Sequence, residues 1–252
     1  MRNVKILESR RGMLAKLMAL GGAAGVLALI GASMMGSASA APCTPTGFNG
    51  LTAQVINPPT LSGTVDASGC DIGAYYDDGA THSITGATIQ DANQFGVLVR
   101  NATTTVNIGN GSVVKRIGNH AGSQYQPNGV QTGVGIVYRE ASAGSVDDTT
   151  VQEYQKNGMT IRDSGTNVSV TNSTVQGAGP VDYIAQNGIQ YSDGAAGVVR
   201  NNLIRDNDYT PKSYWAIGLL LYDVNTKQIK RSLNTYRDNE RNEIVVSSAS
   251  VK

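Results

Sequence analysis

The stretch GMTIRDSGTNVSVTNSTV, Gly158 to Val175, sets a frame that recurs on both sides at nearly constant internal spacing. A glycine opens a short apolar alternating run, a second apolar anchor (Val170) follows about twelve residues later, and a third (Val175) comes five further on. The same frame places glycines at Gly73, Gly96, Gly135, Gly188 and Gly218. The second anchors fall at Ile84, Ile108, Val146, Val199 and Ile229, and the third at Ile89, Val113, Val151 and Ile204. In the last copy the third anchor slips to Asn234, beside Leu233.

A repeat of about 23 residues made only of short β runs has no room for helical units, so the chain reads as an all-β parallel solenoid with one repeat per coil. Alternate first-strand residues then point inward and stack: Val97 and Val99, Ile136 and Tyr138, Met159 and Ile161, Ile189 and Tyr191, Leu219 and Leu221. Two residues after each second anchor stand Gly86, Asn110, Asp148, Asn172, Asn201 and Arg231. Glycine, asparagine and aspartate tolerate the left-handed backbone of a sharp corner, and stacked amides can bond coil to coil.

Residues 1–40 read as an export signal outside the fold. Arg2, Lys5, Arg10, Arg11 and Lys16 precede an apolar, glycine-rich run from Leu17 to Ala32, and Ala38-Ser39-Ala40 forms a small-residue cleavage site. The context around Arg10-Arg11 also resembles a twin-arginine signal. The expected location is therefore extracellular or in the cell envelope, with no membrane attachment once the signal is removed. The remaining chain of about 212 residues carries fifteen basic and eighteen acidic side chains, a net charge near −3, which leaves no electrostatic case for nucleic acid.

Cys43 and Cys70 are the only cysteines. In an exported chain they read as a disulfide that fastens an N-terminal cap, residues 41–71, onto the first coil of a β-helix domain spanning 72–252. Two cysteines with no histidine nearby supply too few ligands for a metal site. A cap is needed because an open solenoid end exposes strand edges and apolar core. Leu61 to Val65 resembles a degenerate third strand within it, and Ile244 to Val246 supplies a final strand.

Links between coils differ in length, and function is expected in that difference. Three links are long: Val114 to Val134, with His120 and Tyr125; Gln176 to Asn187, with Asp182 and Tyr183; and Arg205 to Ile217, with Asp208, Tyr209, Lys212, Tyr214 and Trp215. All leave from one corner, so the short Gln152 to Asn157 link leaves a notch between them. A notch walled by Tyr125, Tyr183, Lys212 and Trp215 suits sugar, because aromatic faces pack on apolar ring faces while polar groups take hydroxyls. The plainer reading is that the loops simply cover the flank.

After each first strand, one column reads Asp77, Arg100, Arg139, Arg162, Ser192 and Tyr222, and the next reads Asp78, Asn101, Glu140, Asp163, Asp193 and Asp223. Neighbouring coils lie about 4.8 Å apart. Either the two columns neutralise each other as a surface ion network, the favoured reading, or Arg100, Arg139 and Arg162 clamp carboxylates or sulfates of an acidic polysaccharide.

From Leu61 to about Val246, the glycine-led first strands, the Asn110/Asp148/Asn172/Asn201 corner and the long loops before the first strand resemble the secreted right-handed parallel β-helix proteins of the pectate-lyase-like superfamily. The resemblance implies a right-handed helix of about seven coils, with substrate along the first sheet between the loops. Calcium-dependent lyases of that group hold the metal on outward carboxylates. Here the outward mid-strand column is Leu98, Val137, Thr160, Gln190 and Leu220, so calcium rests on the resemblance alone and no cofactor is otherwise evident. The aspartate pairs and Gly-His-Gly motif of β-helix polygalacturonases are also absent, and Asp147-Asp148 falls in the corner column.

For catalysis the candidates are Glu140 and Asp163, whose coil spacing approaches that of a retaining carboxylate pair, and His120 as a loop acid or base. The same spacing would arise from any acidic ladder on such a helix. Phosphate-binding, dinucleotide and serine-elbow motifs are missing. Two functions stand: a secreted protein that recognises, or also cleaves, an extracellular acidic polysaccharide, and a non-catalytic envelope or adhesion module.

Overall fold

The computed structural model describes residues 42–247, and the expected export signal lies outside them. Among the described residues the only helical element is a 3-10 turn at Thr226–Gln228. Seven coils and a closing strand stack in parallel. The first strands are Thr52–Ile56, Ile72–Tyr76, Phe95–Val99, Val134–Tyr138, Asn157–Arg162, Asn187–Ser192 and Ile217–Tyr222, with Arg241–Val246 closing the series. In the first two coils the second and third strands run together, as Thr60–Asp66 and Thr81–Gln90. From the third coil on they separate at a corner, as in Asn167–Thr171 and Thr174–Val181.

The opening glycines are required by close approach. A Cβ on Gly135 would sit 2.5 Å from the Gly158 carbonyl oxygen and 2.5 Å from Val151 Cγ1. Each coil's third anchor therefore fills the space that a side chain would take, while the next coil's backbone presses from above. The inward columns expected from alternation are all fully buried, from Val97 to Leu221. Each such side chain contributes about 1.5–3 kcal/mol of burial. Tyr138 and Tyr191 lie wholly inside because their hydroxyls donate to the carbonyls of Val106 (2.7 Å) and Val168 (2.8 Å).

The corner column is left-handed at Gly86, Asn110, Asp148, Asn172 and Asn201, with φ between 46° and 58°. Its exposed amides do bond between coils, Asn201 Nδ2 donating to Asn172 Oδ1 at 2.6 Å. A second ladder, one residue further on, is buried. Backbone amides of Thr149, Ser173 and Asn202 donate to the side chains of Ser173 (3.2 Å), Asn202 (3.0 Å) and Asn234 (3.1 Å) of the following coil.

Three register expectations are corrected. The third anchor of the third coil is Val114, which pairs with Val151, because Gly111 adds a residue to that corner and turns Val113 outward. Leu61 and Val65 pair with Ile84 and Ile89, so they occupy both the second-anchor and third-anchor columns. In the last coil Ile229 pairs with Gly197 and Arg231 with Val199, so Arg231 stands at the second anchor, Leu233 (φ 57°) makes the corner, and Tyr236 replaces Asn234 as the third anchor.

Both ends are closed. At the start, Thr44–Pro45 pairs antiparallel with the first coil, and the Cys43–Cys70 disulfide ties the segment down with 5.5 Å between Cα atoms. Phe48 and Leu51 from this segment pack over Tyr75, Leu98 and Val137, so the outward face of the early first strands is buried. At the far end Glu243 stands in register with Leu219 and forms a solvent-exposed ion pair with Arg231 over the last layer. The terminal layer thus carries an ion pair where other coils carry aliphatic side chains.

Candidate functional site

The long loops leave the third strands and return to the first strands as the spacing predicts. Thr174–Val181 and Leu203–Tyr209 run on past the helix body as a parallel ribbon, pairing Pro180 with Asp208 and Val181 with Tyr209. Between this ribbon, the loop before Val134 and the outward face of the later first strands lies a groove of about 700 Å³. Its walls are Tyr183, Tyr209, Tyr214 and Trp215, its floor includes Ile217, Leu220 and Tyr222, and Gly129 and Gln131 form part of the rim. Tyr214 and Trp215 are 72% and 54% exposed, the signature of side chains not committed to covering core.

Lys156 enters the groove from the short link between the fourth and fifth coils. Its Nζ donates to the Ala185 carbonyl at 2.9 Å, and burial lowers its pKa from the usual lysine value. Among the described residues that line the groove, none is acidic. Burial also pushes the Tyr183 phenol up to about 12, so that hydroxyl stays neutral at ordinary pH.

Two buried glutamines hold the walls. Gln155 Oε1 accepts from the amides of Asn119 (3.0 Å) and Asn128 (3.1 Å), and its Nε2 donates to Asn128 Oδ1 (3.2 Å) and the Val130 carbonyl (2.7 Å). One side chain thereby clasps both legs of the loop before Val134. Gln186 does the same for the next loop, accepting from Ala178 N at 2.9 Å and donating to the Tyr154 carbonyl at 2.6 Å. Such fully paired buried amides set the loops before any ligand arrives.

Of the four side chains expected to wall the notch, Tyr183 and Trp215 line the groove while Tyr125 and Lys212 do not. Tyr125 packs its ring 5.5 Å from His120, and Lys212 pairs with Asp208. The groove also takes in Tyr209 and Tyr214 from the last long link, Tyr222 from the ladder column, and Lys156, which carries no signal of its own in the sequence. A lysine in a short link gains meaning only from the loops that rise around it.

The arginine candidates lie outside the groove lining. Arg100 Nε and Nη2 donate to Glu140 Oε2 at 2.9 and 2.6 Å, and its guanidinium lies 4.1 Å over the Phe48 ring. Arg139 stands 3.1 Å from Glu140 and 3.7 Å from Asp163, and Arg162 lies 3.0 Å from Asp163 and 3.4 Å from Asp193. The two columns therefore interlock from coil to coil as an ion network. Glu140, Asp163, Asp193 and Asp223 all have left-handed backbones, and Asp163 Oδ2 accepts the Glu140 amide at 3.1 Å, so this column is itself a corner. The side chain of His120, the third catalytic candidate, is buried against Asp91 and Tyr125. Among the described residues there is no group of three or more histidine, cysteine or acidic side chains placed to hold a metal ion.

Residues 62–222 match the family model described as the right handed beta helix region. No curated protein and no solved structure matches the chain. A helix of this kind fits a module that binds or cleaves polysaccharide, or a structural module.

Proposed function

The chain belongs to the right-handed β-helix family, and on that footing we propose that it is an exported protein that binds an acidic extracellular polysaccharide in the groove between its loops. One observation carries the reading: four aromatic side chains wall a cavity of about 700 Å³ whose described lining includes a half-buried lysine and no acidic residue. Aromatic faces take the apolar faces of sugar rings. The Lys156 ammonium has three donors, and a carboxylate or sulfate on the sugar would take those that the Ala185 carbonyl leaves. Arg241, 5.3 Å over the Trp215 ring, adds a second cation beside the same wall. The disulfide suits an oxidising compartment outside the cytosol.

Hydrolysis would require two carboxylates at the bound sugar, and the described groove lining supplies none. Binding is accordingly the activity that this geometry supports best. The test is affinity electrophoresis through gels containing polygalacturonate, a sulfated galactan or a neutral galactan, with a parallel assay for new reducing or unsaturated ends. Retardation by the charged polymers that falls with salt and is lost in Lys156→Met is the expected result. Retardation by the neutral polymer alone would keep the sugar groove and remove the acidic preference. Unretarded migration in every gel would leave the structural or adhesion module as the reading.

A further inference from the structure

Asparagine followed by glycine occurs five times, at Asn49, Asn110, Asn128, Asn157 and Asn187. The pair is chemically labile, because a glycine main-chain nitrogen, with no side chain beside it, can reach the carboxamide carbon of the residue before it. What holds the two groups apart decides whether it does so. Four of the five pairs are held. Asn157 and Asn187 lie in first strands, 5% and 6% exposed, and Asn157 Nδ2 donates to Thr160 Oγ1 (2.9 Å) and Gln190 Oε1 (3.1 Å). Asn128 Oδ1 accepts from Gln155 Nε2 (3.2 Å) and from the Val130 amide (3.0 Å). At the exposed Asn110 corner the attacking nitrogen itself is engaged, the Gly111 amide donating to the Asp148 carbonyl at 2.9 Å.

Asn49 is held at neither group. It is exposed, and among the described residues neither its side chain nor the Gly50 amide makes a hydrogen bond. Asn49 and Gly50 have φ of 51° and 72°, the left-handed pair of a type I′ turn, and the Leu51 amide closes that turn on the Phe48 carbonyl at 2.9 Å. Apart from its chain neighbours, no atom lies within 4 Å of the point where a Gly50 Cβ would stand. Nothing outside the turn therefore opposes the bend that brings the Gly50 nitrogen onto Asn49 Cγ.

We infer that Asn49 is a site of spontaneous deamidation that ages the N-terminal cap. The Gly50 nitrogen gives up its proton and bonds to Asn49 Cγ, and the side-chain nitrogen leaves with that proton as ammonia. The five-membered imide so formed takes up one water at either carbonyl and opens to aspartate or to isoaspartate. In isoaspartate the Cβ enters the main chain and lengthens by one atom the turn that sets Phe48 and Leu51 on Tyr75, Leu98 and Val137. The bond from Leu51 to Phe48, and the one from the Thr46 amide to the Leu51 carbonyl (3.0 Å), depend on the original spacing. The cap loosens while the Cys43–Cys70 disulfide keeps it attached. The groove belongs to later coils, so the inference stands apart from the sugar reading.

The test is timed incubation of the folded protein in mildly alkaline buffer, followed by peptide mass spectrometry with electron-driven backbone cleavage to distinguish isoaspartate. The Asn49 peptide is expected to convert at least about fivefold faster than those holding Asn110, Asn128, Asn157 and Asn187, each of which must first lose a hydrogen bond or open a strand. In guanidinium chloride all five keep the same following glycine and lose the fold, so their rates should converge. Conversion of Asn49 no faster than the other four overturns the inference. An equal lead for Asn49 in denaturant also overturns it, by assigning the reactivity to local sequence. For the consequence, aged protein should bind more of an apolar dye than fresh protein. Asn49→Gln aged alongside should not, because its longer side chain closes the larger imide far more slowly. Equal dye binding by the aged wild type and Asn49→Gln overturns the loosening of the cap.

Discussion

Arg231 and Glu243 form an exposed ion pair over the last layer of the core, from positions that hold Val199 and Leu219 one coil earlier. The pair covers the last described layer of an apolar stack, where a further aliphatic layer would invite another strand or another molecule. Tyr236, whose hydroxyl lies 3.4 Å from Glu243, completes the layer. Glu243→Ala should destabilise the protein by up to about 1 kcal/mol in urea unfolding, because the pair is exposed to solvent. The double change Arg231→Leu with Glu243→Leu should recover that stability and elute in size-exclusion chromatography as higher-order species. A monomeric double variant would show that the pair does not guard this end.

Gly135 tests the packing of the coil interior. A methyl group there meets both the Gly158 carbonyl and Val151, and neither is the free end of a flexible chain. Gly135→Ala should therefore cost about 3 kcal/mol, read as a lowered urea midpoint with unchanged slope. Loss of less than about 0.5 kcal/mol would mean that the coils can part at this column.

Trp215 and Arg139 separate the groove from the arginine ladder. Trp215→Ala should weaken polygalacturonate binding by about tenfold or more and leave the melting curve in place, since the ring is largely exposed. Arg139→Ala should leave binding unchanged and lower stability by up to about 1 kcal/mol, through its contacts with Glu140 and Asp163. The opposite pattern would move the ligand to the ladder.

The Cys43–Cys70 bond closes a separation of 27 residues. By loop-closure entropy alone its removal should cost about 3–4 kcal/mol. Reduction should also release Phe48 and Leu51 from Tyr75, Leu98 and Val137, which a rise in binding of an apolar dye would report. A reduced protein with unchanged unfolding and dye binding would show that Phe48, stacked on Arg100, holds the cap unaided.

The coil was legible because each repeat states the same backbone constraint. Glycine where two backbones meet, an apolar side chain five residues after another, and asparagine or aspartate at a left-handed corner are local demands, and Gly73 to Gly218 and Asn110 to Asn201 answer them in register. The pairing of Cys43 with Cys70 followed from there being only two cysteines. Where local spacing changed, by Gly111 in one corner and by two residues at Arg231, the expected register failed.

The candidate site was legible only as a set of long links rich in tyrosine. Its membership depended on contacts between distant segments: Lys156 with Ala185, Gln155 with both legs of another loop, and Gly129 with Gln131 brought beside Tyr183. The arginine column shows the same division. Its spacing could be read from the chain, but its occupation by Glu140, Asp163 and Phe48 depended on how side chains from neighbouring coils and a folded-back cap shared one surface. Repetition along a sequence determines a backbone that repeats, because each coil meets the same neighbour. The groove arises where the repeat is interrupted, and there only the tertiary structure decides which side chains meet.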